Sequence, residues 1–174
     1  EDDLKGSFDP EEGIKETISL VENGEAAILG GGFATGGGAR ANVESSKITL
    51  RGGKVTGNIF AGGAATMAGK THVENAEIVV NGAEVNGNIY AGGLAGSERN
   101  GTAGYYNNPS STVGTTTIKL VDGAVKGDIY AEGFKHRAPG NEKKADATVE
   151  NVSVELYRDG VFQGEVIDGS GATE

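Results

Sequence analysis

The chain has no cysteine and no tryptophan, only 3 prolines, and 10 aromatic residues shared equally between Phe and Tyr. The missing cysteine excludes disulfide staples and thiolate zinc sites. So few prolines exclude a polyproline linker, and the glycines show no collagen period. No apolar run approaches the ~20 residues that a membrane-spanning helix needs. Positive charge is also scarce: 15 Lys and Arg stand against 25 Asp and Glu, a formal net charge of −10. Nucleic acid and anionic membrane surfaces repel such a chain, so neither is an expected partner, nor is direct membrane insertion. The opening Glu1-Asp2-Asp3 is the opposite of a basic signal-peptide n-region, which points to a cytosolic chain or to a mature or excised fragment.

Glycine is what the chain has in excess, with 31 of 174 residues, against about 7% in an average protein. Many tight turns between short strands account for it. The turns recur with the sequence around them. Gly57-Asn58-Ile59-Phe60-Ala61-Gly62-Gly63 returns as Gly87-Asn88-Ile89-Tyr90-Ala91-Gly92-Gly93 and as Gly127-Asp128-Ile129-Tyr130-Ala131-Glu132-Gly133. Decayed copies lie at Ala26–Gly32 and Gly164–Ser170. A second strand precedes each copy: Ile18-Ser19-Leu20, Ile48-Thr49-Leu50, Ile78-Val79-Val80, Ile118-Lys119-Leu120 and Val154-Glu155-Leu156. Turn pairs such as Gly52-Gly53 and Asp122-Gly123 separate the two. A third short strand is expected at Val43, Val73, Val113 and Val149, with a bend after it.

The spacing is 30 residues for two steps and then lengthens, with the extra residues placed after the Ala-Gly-Gly turn. Insertions confined to one point of a repeat are the mark of stacked coils. A helical repeat fails on residue type, because Val, Ile and Thr dominate and glycine interrupts every candidate helix. The expected fold is therefore all-β: a parallel β-solenoid (β-helix) of about five coils with two loop insertions, a rod about 20–25 Å long. Residues 1–16 form an acidic segment read as a cap or as disordered, 17–170 the repeat domain and 171–174 a tail.

Strict alternation turns Ile48, Leu50, Val55, Ile59 and Ala61 inward and leaves two outer ladders. One is Asn58, Asn88 and Asp128; the other is Phe60, Tyr90 and Tyr130, an aromatic stripe able to bind. The competing reading is that glycine bends turn the aromatic column inward or that a neighbour covers it. The insertions supply the other candidates. The loop from Leu94 to Thr112 carries Arg99, Tyr105, Tyr106, Asn107 and Asn108, rings and amides that suit a sugar face and its hydroxyls. The loop from Phe134 to Asp146 carries Lys135, His136, Arg137, Lys143 and Lys144, a basic spot for an acidic glycan or protein, or a solvated charged loop. Both leave the same corner of adjacent coils and should lie side by side.

No metal site or cofactor is expected. There are two histidines, His72 and His136, and no His-Glu-x-x-His, EF-hand or glycine-rich calcium nonapeptide. No Ser-His-Asp set or nucleotide-binding glycine loop emerges either, and Asp122, Lys126 and Asp128 read as drifted repeat positions. The chain is thus read as a non-enzyme.

The Gly-Asn-Ile-Tyr-Ala-Gly-Gly unit resembles glycine-rich repeats of bacterial surface proteins, as in autotransporter passenger domains and adhesins. The resemblance spans about residues 14 to 170. It implies a cell-surface or extracellular location and a structural or adhesive role, with carbohydrate or a host surface protein as partner. A polysaccharide-active β-helix enzyme and a ligand-free stalk spacer are the alternatives. Open edge strands at the end of a rod also invite end-to-end self-association.

Overall fold

A computed structural model describes residues 27–97, 108–137 and 145–173. Among them are fifteen strands and no helix. Among the described residues every strand pair is parallel, and the strands form three sheets. In each sheet, neighbours are one repeat apart in sequence.

The first sheet holds the glycine-flanked motif: β1 (Ala27–Leu29), β5 (Asn58–Phe60), β8 (Ile89–Tyr90), β11 (Ile129–Tyr130) and β14 (Val166–Ile167), in that order. Ile28, Ile59, Ile89, Ile129 and Val166 stand in register across it. The second sheet holds the long strands β3 (Arg40–Leu50), β7 (Lys70–Val85), β10 (Ser110–Val125) and β13 (Val149–Phe162), with the short β4 (Lys54–Val55) beside β7. The third runs β2 (Phe33–Thr35), β6 (Ala64–Thr66), β9 (Leu94–Ser97), β12 (Phe134–Arg137) and β15 (Gly171–Thr173).

This arrangement corrects the sequence reading in two places. The expected separate strands at Val43 and Ile48, and their equivalents, are one continuous strand. In β7 the strand also runs through Asn81-Gly82-Ala83. Two exposed pairs in β7, Glu74-Asn75 and Asn81-Gly82, mark the corners. Between them the period-two alternation restarts, burying Thr71 and Val73, then Ala76, Ile78 and Val80, then Ala83 and Val85. At the second corner Gly82 has φ +99°, and Gly123, in register with Ala83 at the same corner of β10, has φ +93°, values costly for any side chain with a Cβ. The second correction is the third sheet. Its strands, of three or four residues each, occupy what the sequence presented as the start of loops. Leu94–Ser97 and Phe134–Arg137 are strand, so the insertions begin after residues 97 and 137.

The core runs between the sheets. Leu50, Val55, Ile59, Val73, Ile78, Val80, Val85, Ile89, Val113, Ile118, Leu120, Val125 and Ile129 are all buried in one cluster. The inward set read from alternation is therefore present. Ile48, in the first described repeat, is half-buried against the same cluster.

Candidate functional site

The Asn58, Asn88 and Asp128 ladder lies where expected, but its bonds are to backbone. Asn58 Oδ1 accepts from the amide of Asn88 at 2.9 Å, Asn88 Oδ1 from the amide of Asp128 at 2.9 Å, and Asp128 Oδ1 from the amide of Glu165 at 3.0 Å. Each side chain thus caps an N–H at the corner of the next repeat, a position that the strand ladder leaves open. The capping bond uses only the acceptor oxygen, which explains why Asp serves as well as Asn in the third copy; Asn88 also donates from Nδ2 to the Tyr90 hydroxyl at 3.3 Å, a hydroxyl that can donate to a carboxylate in its place. Asn88→Asp should therefore leave the melting temperature nearly unchanged. Asn88→Ala orphans the Asp128 amide and should cost about 1–3 kcal/mol, read by denaturant titration.

The aromatic ladder stacks but is not an outer stripe. Phe60 and Tyr90 lie 4.7 Å apart at 8°, and Tyr90 and Tyr130 lie 4.7 Å apart at 12°. Phe60 is only 2% exposed and Tyr90 3%, so no ligand reaches their faces. The cover comes from the third sheet: the ring of Phe134 meets Tyr90 edge-on at 5.8 Å. The Ala-Gly-Gly corner folds the outer face of the first sheet against the start of the third. Tyr130 is half-buried. The reading in which glycine bends and a neighbour hide the column describes Phe60 and Tyr90.

Of the loop candidates, Arg99, Tyr105, Tyr106, Asn107, Lys143 and Lys144 lie outside the described residues, and so does any contact they make. Asn108 is exposed at the foot of the first insertion. Arg137 ends β12, and His136 is exposed on it. Lys135 departs from the basic-loop reading. It stands in register with Ala95 and Ala172, in the column of the buried Ala34 and Ala65. Its ammonium donates to Glu132 Oε2 at 2.9 Å, with 18% of its side chain exposed. Glu132 itself replaces the glycine found at Gly62 and Gly92. One repeat has thus exchanged a Gly and an Ala for an ion pair three residues apart.

The stems of the two insertions do lie side by side. Ser97 and Arg137, where the chain departs, are register partners in the third sheet. On return, the Ser111 amide donates to the Asp146 carbonyl at 2.8 Å, and the Asp146 amide to the Pro109 carbonyl at 3.0 Å. Ala95, Ala145 and Ala147 pack together beneath this corner.

Sequence reasoning missed a groove on the outer face of the long strands. It has a volume of about 240 Å³ and is lined by Ser45, Ser46, Lys47, Asn75, Ala76, Glu77, Thr115 and Thr117. Hydroxyls, an amide and both charge signs line it, without an aromatic ring to stack on a ligand. Glu77 anchors it between Lys47 at 2.6 Å and Lys119 at 3.0 Å. Hydrogen bonds from Lys47 and then Lys119 hold its carboxyl below the ordinary value of 4.5. A carboxyl depressed in the folded state contributes stability above its unfolded value, and that stability is lost as pH falls through the folded one. Glu77→Gln should accordingly lower the melting temperature slightly at neutral pH and converge with the unsubstituted chain as pH falls below about 4.5, which flattens the acid limb of the profile.

The other charge clusters are small. Glu84 bridges Lys126 at 2.9 Å and Lys54 at 3.1 Å, and the hydrogen bonds from Lys126 and Lys54 lower its carboxyl value. The His72-Val73-Glu74 spacing brings His72 Nε2 to 3.1 Å from Glu74 while Nδ1 meets Thr112 Oγ1 at 2.9 Å. That is one imidazole and one carboxylate. Among the described residues no three His, Asp or Glu side chains gather as metal ligands.

Comparison with family models, with curated proteins and with solved structures finds no match to this chain.

Proposed function

We propose that the chain is a parallel β-solenoid segment of a secreted or surface-displayed bacterial protein, acting as a structural or adhesive module whose contacts are made by the insertions at residues 98–109 and 138–144. The winding is supported by the order of the sheets. Each repeat sends strands to the second, first and third sheets in the same sequence, and each strand pairs with its equivalent one repeat away. Such a stack buries apolar faces that no single coil can bury alone. The location rests on the resemblance of the Gly-Asn-Ile-Tyr-Ala-Gly-Gly unit to surface-protein repeats.

The observation that carries the binding role is the pairing of the stems. The stems of the two insertions leave and return through adjacent strands of a rigid scaffold, the usual way in which binding loops are anchored. By sequence, the first insertion carries the rings and amides of Tyr105, Tyr106, Asn107 and Asn108, and the second carries Lys143 and Lys144. A glycan is the ligand class that this chemistry suits. Screening the purified chain on a glycan array, beside a Tyr105→Ser, Tyr106→Ser variant, tests the assignment. Binding that the variant loses supports it. Binding that survives both the variant and replacement of both insertions by short turns overturns it. In this reading the module performs no reaction, and release of reducing or unsaturated ends from acidic polysaccharides would show otherwise.

A further inference from the structure

The outer face of the second sheet brings a nucleophile, a base and a carboxylate together. Thr71 and Val73 are buried on either side of His72, and Ser111 and Val113 on either side of Thr112, so His72 and Thr112 both point outward. They are register partners, one repeat apart. Thr112 Oγ1 lies 2.9 Å from His72 Nδ1, and Glu74 Oε2 lies 3.1 Å from Nε2. The two bonds fix where the protons are. An ionised carboxylate only accepts, so Nε2 carries the hydrogen. A neutral imidazole then has its lone pair on Nδ1, and the second bond forms only if the Thr112 hydroxyl donates. The hydroxyl proton thus already points at a base whose tautomer a third group sets, which is the arrangement of an activated nucleophile. Thr115, three residues along the same strand, is exposed and has no imidazole beside it, because its register partners are Asn75 and Asn151.

The surroundings select the donor. Glu44, Glu74 and Glu150 occupy one corner position in three of the repeats, and all are exposed. Their carboxylates repel an anionic donor such as a phosphate ester. Lys70 and Ser110 are register partners two residues earlier on the same face. Thr148 stands beside Thr112 in the following repeat, between the pairs Ser110–Asp146 and Val113–Val149. These residues offer one cation and two hydroxyls to the oxyanion of a carbonyl under attack.

We infer that Thr112 is an acyl-acceptor site, taking an acyl group from an uncharged ester or thioester. His72 is its general base, and Glu74 is a positioning residue that holds the imidazole in the reactive tautomer. In the transfer a bond forms from Thr112 Oγ1 to the carbonyl carbon. The bond from that carbon to the leaving oxygen or sulfur breaks, and its electron pair stays with the leaving group. The hydroxyl proton passes to His72 Nδ1 and from there to the leaving group. The product is an ester on Thr112, and nothing is oxidised or reduced. The site needs nothing from the insertions and stands whether or not they bind a glycan.

Timed exposure of the full chain to p-nitrophenyl acetate, followed by peptide mass mapping, tests it. Thr112 should gain the acetyl group about 10²–10⁴-fold faster than Thr115, the range that general-base assistance supplies. His72→Gln should bring Thr112 down to the rate of Thr115, with circular dichroism confirming that the variant is folded. Proton–nitrogen correlation NMR of the unsubstituted chain should find the His72 proton on Nε2. Glu74→Gln should weaken that tautomer preference and slow the acetylation of Thr112 together. Acetylation of Thr112 no faster than that of Thr115 overturns the inference. So does a rate that His72→Gln leaves intact, or an imidazole proton that resides on Nδ1.

Discussion

Ile89→Asp is expected to remove the cooperative thermal transition of the chain or to lower its midpoint by at least about 10 °C. Ile89 is wholly buried, in register with Ile59 on one side and Ile129 on the other. A carboxylate there has apolar neighbours in three successive repeats and no cation to pair with. It must either remain charged without water or take up a proton, and both are costly. The penalty exceeds about 4 kcal/mol, a large share of the 5–15 kcal/mol that holds a typical domain folded. Ile89→Val keeps the apolar surface and should cost only about 0.5–1.5 kcal/mol. Thermal melts of the two variants side by side separate the effect of charge from that of volume. Equal melting of Ile89→Asp and the unsubstituted chain would mean that the inward face is misassigned.

Tyr90→Ala carries the second-largest expected effect, about 3–5 kcal/mol. The ring is sandwiched between Phe60 and Tyr130 and met edge-on by Phe134. Truncation opens a cavity at the junction of two sheets and breaks the aromatic stack at its middle. Tyr90→Phe keeps the stack and gives up the 3.3 Å bond from Asn88 Nδ2 to the hydroxyl, so it should cost about 1 kcal/mol or less. Urea titration measures both. A small loss for Tyr90→Ala would return the column to the role of an exposed stripe. The buried stack that the rings form here makes it a part of the structure.

The history of that column shows how far this sequence can be read. Positions that recur every repeat, such as Ile59, Ile89 and Ile129, disclose their burial, because a parallel stack aligns each residue with its equivalent. Phe60 and Tyr90 mislead, because alternation within one strand says which way a side chain points and not what comes to cover it. The cover, Phe134, arrives from a sheet whose strands are three or four residues long and rich in Ala and Gly. Ala64-Ala65-Thr66 has little β-propensity of its own, and pairing with equivalents in register holds it extended.

The candidate surfaces divide in the same manner. Where the chain leaves for its insertions could be read from the lengthened spacing, though the departure points fall three or four residues later than the Ala-Gly-Gly turn suggested. Lys135 looked like one cation of a basic loop. Its pairing with Glu132 was hidden because Glu132 stands at a glycine position of the repeat, where the pattern of the other copies offers no carboxylate. The groove beside Glu77 could not be found by motif at all. Its lining combines columns from three repeats, and no single stretch of sequence contains it.

The absence of cysteine makes the parallel register directly measurable. Val79 and Lys119 are 40 residues apart, yet they are register partners on the outer face of β7 and β10. Adjacent strands lie about 4.8 Å apart, within the Cα separation that a disulfide spans. The measurement is the rate at which a Val79→Cys, Lys119→Cys variant forms an internal disulfide under mild oxidation, set against a Val79→Cys, Val121→Cys variant displaced by two residues. Fast closure of the first pair and slow closure of the second is the result this account predicts. Equal rates, or a folded protein in which the first pair stays reduced, would contradict the stacking of repeat on repeat from which everything else here follows.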